Sequence, residues 1–143
     1  MTAVIDLSKL IPHQGTMCLL ERVVDWNDAR ITLESSSHRS HSNPLRANGR
    51  LRAIHLCEYG AQAMAVHGAL RSQGSDDRPK PGMLVSLRNV KLQVDYIEDL
   101  EGDLMIEAEC LQSMADSLQY TFRVTHRDAL LAEGRAMVIL GRN

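Results

Sequence analysis

Aromatic side chains are scarce: one Phe, one Trp and three Tyr in 143 residues. A core must therefore be assembled from Leu, Val, Ile, Met and Ala. The scarcity argues against any site walled by several rings, including base-stacking platforms for nucleic acid. Neither sign of charge is in excess, with 16 Lys and Arg against 18 Asp and Glu. That leaves no electrostatic footprint for DNA, RNA or an anionic membrane, and no nucleic-acid partner is expected. Cysteine is sparse and dispersed, at Cys18, Cys57 and Cys110, without a Cys-x-x-Cys pair. Reduced thiols in a cytoplasmic protein fit this better than a disulfide framework. No apolar run approaches the length of a membrane span. Met1 to Leu10 is broken by Asp6 and Lys9, and no signal peptide is expected there. There is no Gly-x-Ser-x-Gly elbow, phosphate loop or dinucleotide fingerprint. A nucleophilic serine, nucleotide hydrolysis and hydride transfer are disfavoured accordingly. None of the six histidines forms a His-x-x-x-His pair. No metal and no cofactor is expected.

What is present is an ordinary globular content of apolar residues, 44%. The length fits a single domain over residues 1–143 with a core that needs no staples. Leu7 to Pro12 reads as a short helical or turn segment. Met17 to Asp25 reads as a strand, Asn27-Asp28 as a turn, and Arg30 to Ser36 as a second strand completing a hairpin. Ser35 to Gly49 is polar, contains Asn43-Pro44 and Asn48-Gly49, and reads as a loop. Leu51 to Gln73 has no proline. Its residues Leu51, Ile54, Cys57, Ala61, Met64, Ala65 and Gly68 recur at helical steps. Gly60, Ala61, Ala63, Ala65, Gly68 and Ala69 make this helix slim, so that it can lie close against a surrounding surface. After the Ser72 to Gly82 loop the period becomes two. Met83 to Val94, Leu104 to Met114, Ser117 to His126 and Leu130 to Leu140 read as strands, separated by turns at Asp99 to Gly102, Ala115-Asp116 and Arg127-Asp128. Two strands, one long helix and four strands make an α+β chain, with an antiparallel sheet wrapped around one central helix.

The helix carries the most informative polar cluster. His55, Glu58 and Gln62 stand three and four residues apart and share a face. Glu58 lies beside the apolar stripe. Burial of a carboxylate favours its protonated form, which suits a general acid. The plainer alternative is an exposed Glu bonded to Gln62. His13, between Pro12 and the turn at Gly15, is either a surface or capping residue or a loop histidine reaching into a cleft. Cys57 reads as a core thiol rather than a nucleophile. Arg39, Arg46, Arg50 and Arg52 cluster in one short stretch. They make either a solvated loop or a docking patch for an acidic carrier protein.

Two motifs resemble the beta-hydroxyacyl-acyl-carrier-protein dehydratase family. Ile11-Pro12-His13-Gln14-Gly15-Thr16-Met17, with Leu19, Leu20, Glu21, Arg22 and Val23 after it, is similar to the family's Leu-Pro-His-Arg opening and following strand. Glu58-Tyr59-Gly60-Ala61-Gln62-Ala63-Met64-Ala65 is similar to its Glu-Ala-x-Ala-Gln helix. The order of elements agrees from about Leu10 to Leu140. The resemblance is nearest to the divergent branch found with bacterial aryl-polyene-type lipid biosynthesis clusters. It rests there on Pro12, His13, Gly15, Met17, Glu58, Tyr59, Ala61, Gln62, Ala63, Ala65, His67 and Gly68. One departure matters. Ordinary members place a catalytic histidine in a Gly-His-Phe-Pro loop before the helix. Here that position falls on Pro44, within Ser42-Asn43-Pro44-Leu45. The role of Glu58 transfers by position and that of the histidine does not.

The resemblance implies a hot-dog fold and a dehydratase of beta-hydroxyacyl thioesters borne on acyl carrier protein, without a cofactor. It also implies a homodimer with the acyl tunnel at the subunit interface, or pairing with a related hot-dog subunit. Elimination needs a base for the alpha proton, an acid for the departing hydroxyl, and donors for the enolate-like oxygen. Glu58 is the expected acid. His13 is the expected base, ahead of His41, whose loop carries no rigid support, and His55, which approaches from the same side as Glu58. Backbone N–H groups at the Leu51 end of the helix are the expected donors. Gln62, Tyr59, Ala61, His41 and His55 are the expected substrate-binding residues. The rivals are a hot-dog thioesterase, with Glu58 activating water, and a non-catalytic subunit that binds acyl chains or supports a partner.

Overall fold

The structure, a computed structural model, describes Leu7, Leu10, residues 15–72 and residues 82–140. Of the Leu7 to Pro12 segment only Leu7 and Leu10 are described, joined by the Leu10 N–H to the Leu7 carbonyl at 3.0 Å. His13 lies outside the described residues. The elements run β1 (Arg22–Trp26), β2 (Arg30–Ser35), α1 (Leu56–Ser72), β3 (Gly82–Leu92), β4 (Leu104–Ser113), β5 (Ser117–His126) and β6 (Ala129–Leu140). The strands form one sheet in the order β1-β2-β4-β5-β6-β3, with every neighbouring pair antiparallel. Helix α1 packs across β2, β4, β5 and β6.

Alternation along the strands decides which residues meet the helix. Ile31, Ala108, Phe122 and Gly134 form one row across β2, β4, β5 and β6, and Leu33, Ile106, Val124 and Ala132 form the next. All eight are buried. Phe122, the chain's one phenylalanine, lies between the small residues Ala108 and Gly134, and Gly60 of α1 meets it. A Cβ built on Gly60 would stand 2.6 Å from Phe122 Cγ, so the slim helix has a concrete purpose: the ring occupies that space. The hairpin joining β5 to β6 turns through Arg127 and Asp128, both at positive φ (50° and 69°), with His126 facing Ala129. Two left-handed residues match the strand twist of a two-residue turn, here without glycine.

The structure corrects three readings of the sequence. The expected strand from Met17 to Asp25 is paired only from Arg22, and Gly15–Met17 is a short 3-10 turn. The helix does not begin at Leu51. Leu51 accepts from the Ile97 N–H at 3.0 Å, Arg52 bridges Tyr96, and the Ala53 N–H donates to Asp95 at 2.9 Å. Those residues are held in extended pairing, and α1 follows a 3-10 turn over Ala53–His55. The stripe through Leu51, Ile54, Cys57, Ala61, Met64, Ala65 and Gly68 is only in part the core face. Leu51 and Met64 are buried, but Ile54 and Ala65 are exposed and Cys57, Ala61 and Gly68 half-buried, whereas Leu56, Tyr59, Gly60, Ala63, Val66 and Leu70 are buried. Both faces carry apolar or small residues, so spacing alone could not tell them apart.

Candidate active site at the start of the helix

Glu58 stands in the first turn of α1 and is half-buried, between the two alternatives the sequence left open. Its Oε1 accepts from Gln62 Nε2 at 3.2 Å, the i, i+4 pair expected on one helix face. Gln62 is fully buried and its amide is committed on both sides. Oε1 accepts from the Leu19 N–H at 2.9 Å, and Nε2 also donates to the Met17 carbonyl at 2.8 Å. Tyr59 is likewise fully buried. Its hydroxyl lies 2.7 Å from Ser37 Oγ and accepts from Asn43 Nδ2 at 3.1 Å. Burial pushes the Tyr59 phenol up, with the bonds to Ser37 and Asn43 pulling the other way. Ala61 is half-buried on the opposite side of the turn from Tyr59, His55 is half-buried at the end of the 3-10 turn, and His41 is exposed on the loop.

The loop before the helix is more ordered than its composition implied. Ser37–Arg39 forms a 3-10 turn, Asn43 Nδ2 donates to the Ser37 carbonyl at 3.0 Å, and the Leu45 N–H caps Asn43 Oδ1 at 2.9 Å. Thr16, Cys18, Glu21, Ser36, Ser37, Arg39, Ser40, Ser42 and Asn43 enclose an open, hydroxyl-rich cavity of about 380 Å³. The arginine cluster divides. Arg46 donates to the Gly49 and His38 carbonyls, and Arg50 lies 3.5 Å above the Tyr96 ring with its Nη2 3.4 Å from Glu98. Burial works to raise the Glu98 carboxyl, but the Leu51 N–H and Arg50 outweigh it and hold it below the usual range. Arg46 and Arg50 therefore brace this end of the fold, and Arg52 lies 5.8 Å from the same Tyr96 ring; Arg39, Arg50 and Arg52 are all exposed.

Four of the backbone N–H groups expected as oxyanion donors at the Leu51 end are already spent. The Leu51 N–H donates to Glu98 at 2.8 Å, Ala53 to Asp95, His55 to Arg52, and Leu56 to Ala53 and Ile54. Among the described residues no group of three or more His, Cys, Asp or Glu could hold a metal. No helix there is long and apolar enough to cross a membrane.

Two histidines to which the sequence assigned no role at the site are buried. His38 Nε2 lies 2.7 Å from the Leu100 carbonyl, and its Nδ1 has no partner. His67 Nε2 lies 2.7 Å from the Asn27 carbonyl and Nδ1 2.6 Å from the Tyr120 hydroxyl, tying α1 to the β1–β2 turn and to β5. Burial lowers the pKa of both and raises that of Tyr120 to about 12. A neutral His67 with the proton on Nε2 donates to Asn27 and accepts from Tyr120. The unfolded chain protonates these histidines near the ordinary value of about 6.5 while the folded chain resists, so folding stability is lost as pH falls below that value. The melting temperature is expected to be level from pH 8 to about pH 7 and to decline toward pH 5. A level profile down to pH 5 overturns this.

A six-stranded antiparallel sheet wrapped around one long helix, with the polar cluster at the helix start, defines a hot-dog protein. The chain belongs to the ApeP-like family, described as ApeP dehydratase, which matches residues 5–142. The dehydratase heterocomplex ApeI:P from Xenorhabdus doucetiae is similar in structure, with a TM-score of 0.88 and 20% identity over 99% of this chain and 94% of that one. Zebra fish thioesterase superfamily member 2 is similar at TM-score 0.64 and 17% identity, over 94% of this chain and 93% of that one. So is a hypothetical thioesterase with coenzyme A from Streptococcus pneumoniae, at 0.60 and 11%, over 84% of each chain. At these identities the structures share the fold. No curated protein matches the chain by sequence.

Proposed function

We propose that the chain is a lyase that removes water from beta-hydroxyacyl thioesters carried on acyl carrier protein, in fatty-acid-like or aryl polyene lipid biosynthesis. The observation that carries this reading is a half-buried Glu58 in the first turn of α1, its carboxylate bonded to Gln62, in a chain of the ApeP-like dehydratase family. In the proposed reaction the base, His13, takes the alpha proton. The electron pair forms the alpha–beta double bond as the beta C–O bond breaks, and Glu58 gives its proton to the departing hydroxyl, which leaves as water.

A partner subunit is supported by the sheet itself. Strand β3 is an edge, and Met83, Leu84, Val85 and Leu87 are exposed along it. The opposite edge, β1, is short and bulged between Val23 and Asp25, with Arg22 paired to Glu34 and Asp103. Strand β3 also shifts register, between Leu84 and Ser86 and between Arg88 and Lys91, so pairing there is favoured by its length and by its apolar first half. A homodimer through β3 fits, as does pairing with a related hot-dog subunit.

The test is product analysis on a beta-hydroxyacyl chain loaded on acyl carrier protein. Loss of one water, giving the enoyl thioester, is expected. Release of free acid would make the chain a thioesterase, and no turnover with or without a related hot-dog subunit would leave it a binding or support subunit. The particle mass is expected to be at least that of two chains, and a monomer at micromolar concentration would remove the interface part.

A further inference from the structure

The three side chains at the candidate site are linked by a hydrogen-bonded circuit that passes through one backbone residue, Leu19. The Leu19 N–H donates to Gln62 Oε1, and Gln62 Nε2 donates to Met17 and to Glu58. The Leu19 carbonyl accepts from both Ser35 Oγ and Ser37 Oγ. Ser37 spends its one hydroxyl proton on Leu19, so at 2.7 Å it must accept from the Tyr59 hydroxyl, whose oxygen in turn accepts from Asn43. Three segments are thereby locked together: the Met17–Leu19 stretch, the Ser37–Asn43 loop, and the Glu58–Gln62 turn of α1. Tyr59, Gln62 and Leu19 are all fully buried, so water is kept from their side of these bonds.

The geometry points to Tyr59 and Gln62 as positioning residues rather than substrate-contacting ones. Together they set the Glu58 carboxylate against the segment that leaves the His13 motif and against the loop that walls the hydroxyl-rich cavity. This rests on the dehydratase reading above. Every polar atom of the Gln62 amide, and both the donor and an acceptor site of the Tyr59 hydroxyl, are spent within the protein. A substrate could reach them only by breaking the circuit. Because Tyr59 and Gln62 act through the shared residue Leu19, their effects are coupled.

Tyr59→Phe keeps the buried ring and removes only the hydroxyl, and Gln62→Met keeps the volume and removes the amide. Turnover should fall about tenfold in Tyr59→Phe and about a hundredfold in Gln62→Met, with KM within about twofold of wild type. The double variant should be no worse than Gln62→Met by more than about threefold, since residues sharing one network are not additive. Amide exchange at Leu19 should accelerate in both single variants, although Tyr59 does not touch that N–H. KM rising at unchanged kcat would overturn the proposal by making them substrate contacts. Multiplicative losses in the double variant, or unaltered Leu19 exchange in Tyr59→Phe, would overturn the circuit. A wild-type chain without dehydratase turnover removes the reading beneath the positioning role, and Leu19 exchange still decides whether the circuit exists.

Discussion

Glu58→Gln should reduce dehydratase turnover by about a hundredfold to ten-thousandfold, the span a positioned proton donor contributes. The substitution removes the proton that the proposed reaction draws from Glu58 while leaving the side chain's shape nearly unchanged. The side-chain oxygen at position 58 can still accept from Gln62 Nε2, so the bond at 3.2 Å and the turn around it survive. Melting temperature is therefore expected to stay within a degree or two of wild type, with KM little altered. Wild-type turnover in Glu58→Gln on a verified substrate would end the assignment. The same assay locates the base. His13→Asn is expected to lose turnover without melting early, and His41→Asn, changing an exposed loop residue, to remain active. His55→Asn falls one turn before Glu58 at the end of a 3-10 turn and should affect folding at least as much as rate. If His13→Asn keeps full turnover while another variant is dead, the base is elsewhere.

Gly60→Ala should destabilise the protein, and Gly68→Ala, eight residues along the same helix, should stabilise it. Alanine is favoured over glycine inside a helix by about 1 kcal/mol, and both sites gain that. At Gly68 nothing lies within 4 Å of the added Cβ, so the gain stands. At Gly60 the new Cβ meets Phe122 Cγ at 2.6 Å and Cδ2 at 2.7 Å. Phe122 cannot retreat, because its far edge already abuts Gly134, where a Cβ would lie 2.9 Å from Cε1. Overpacking of a closed core costs about 1–3 kcal/mol or more, so the clash outweighs the propensity gain. A net loss of about 1–2 kcal/mol corresponds to a fall of about 3–7 °C for a domain of this size. Equal shifts of the same sign for the two variants would mean that the helix does not press on Phe122.

The arrangement of strands was legible because alternation is a local property. Leu104, Ile106 and Ala108 face inward and Glu107 outward, as their order along the chain implies, and the turns fall at Asn27-Asp28, Ala115-Asp116 and Arg127-Asp128, each ending in an aspartate. Asn27 shows why: its Oδ1 accepts from the Ala29 and Arg30 N–H groups, a turn made by one side chain on its own neighbours. The long helix, its slimness and the shared face of Glu58 and Gln62 follow from residues close in sequence, and the family resemblance follows from two short motifs.

Long-range contacts decided the rest. Leu51 carries helical spacing yet pairs with Ile97, forty-six residues away, because the buried Glu98 carboxylate takes its N–H. Which helix face is buried depended on where Phe122 and the β2 and β4 side chains lie, and a helix with small or apolar residues on both sides does not carry that information locally. Gln62 and Tyr59 were legible only as polar residues of the Glu58 motif, and their partners were not. Their partners, Leu19 and Ser37, lie 43 and 22 residues away, and only the folded chain brings those backbone and hydroxyl groups to them. Spacing of two, three or four residues is written into the local geometry of a strand or helix. A hydrogen bond closed across tens of residues exists only once the sheet has wrapped the helix and excluded water from the partners.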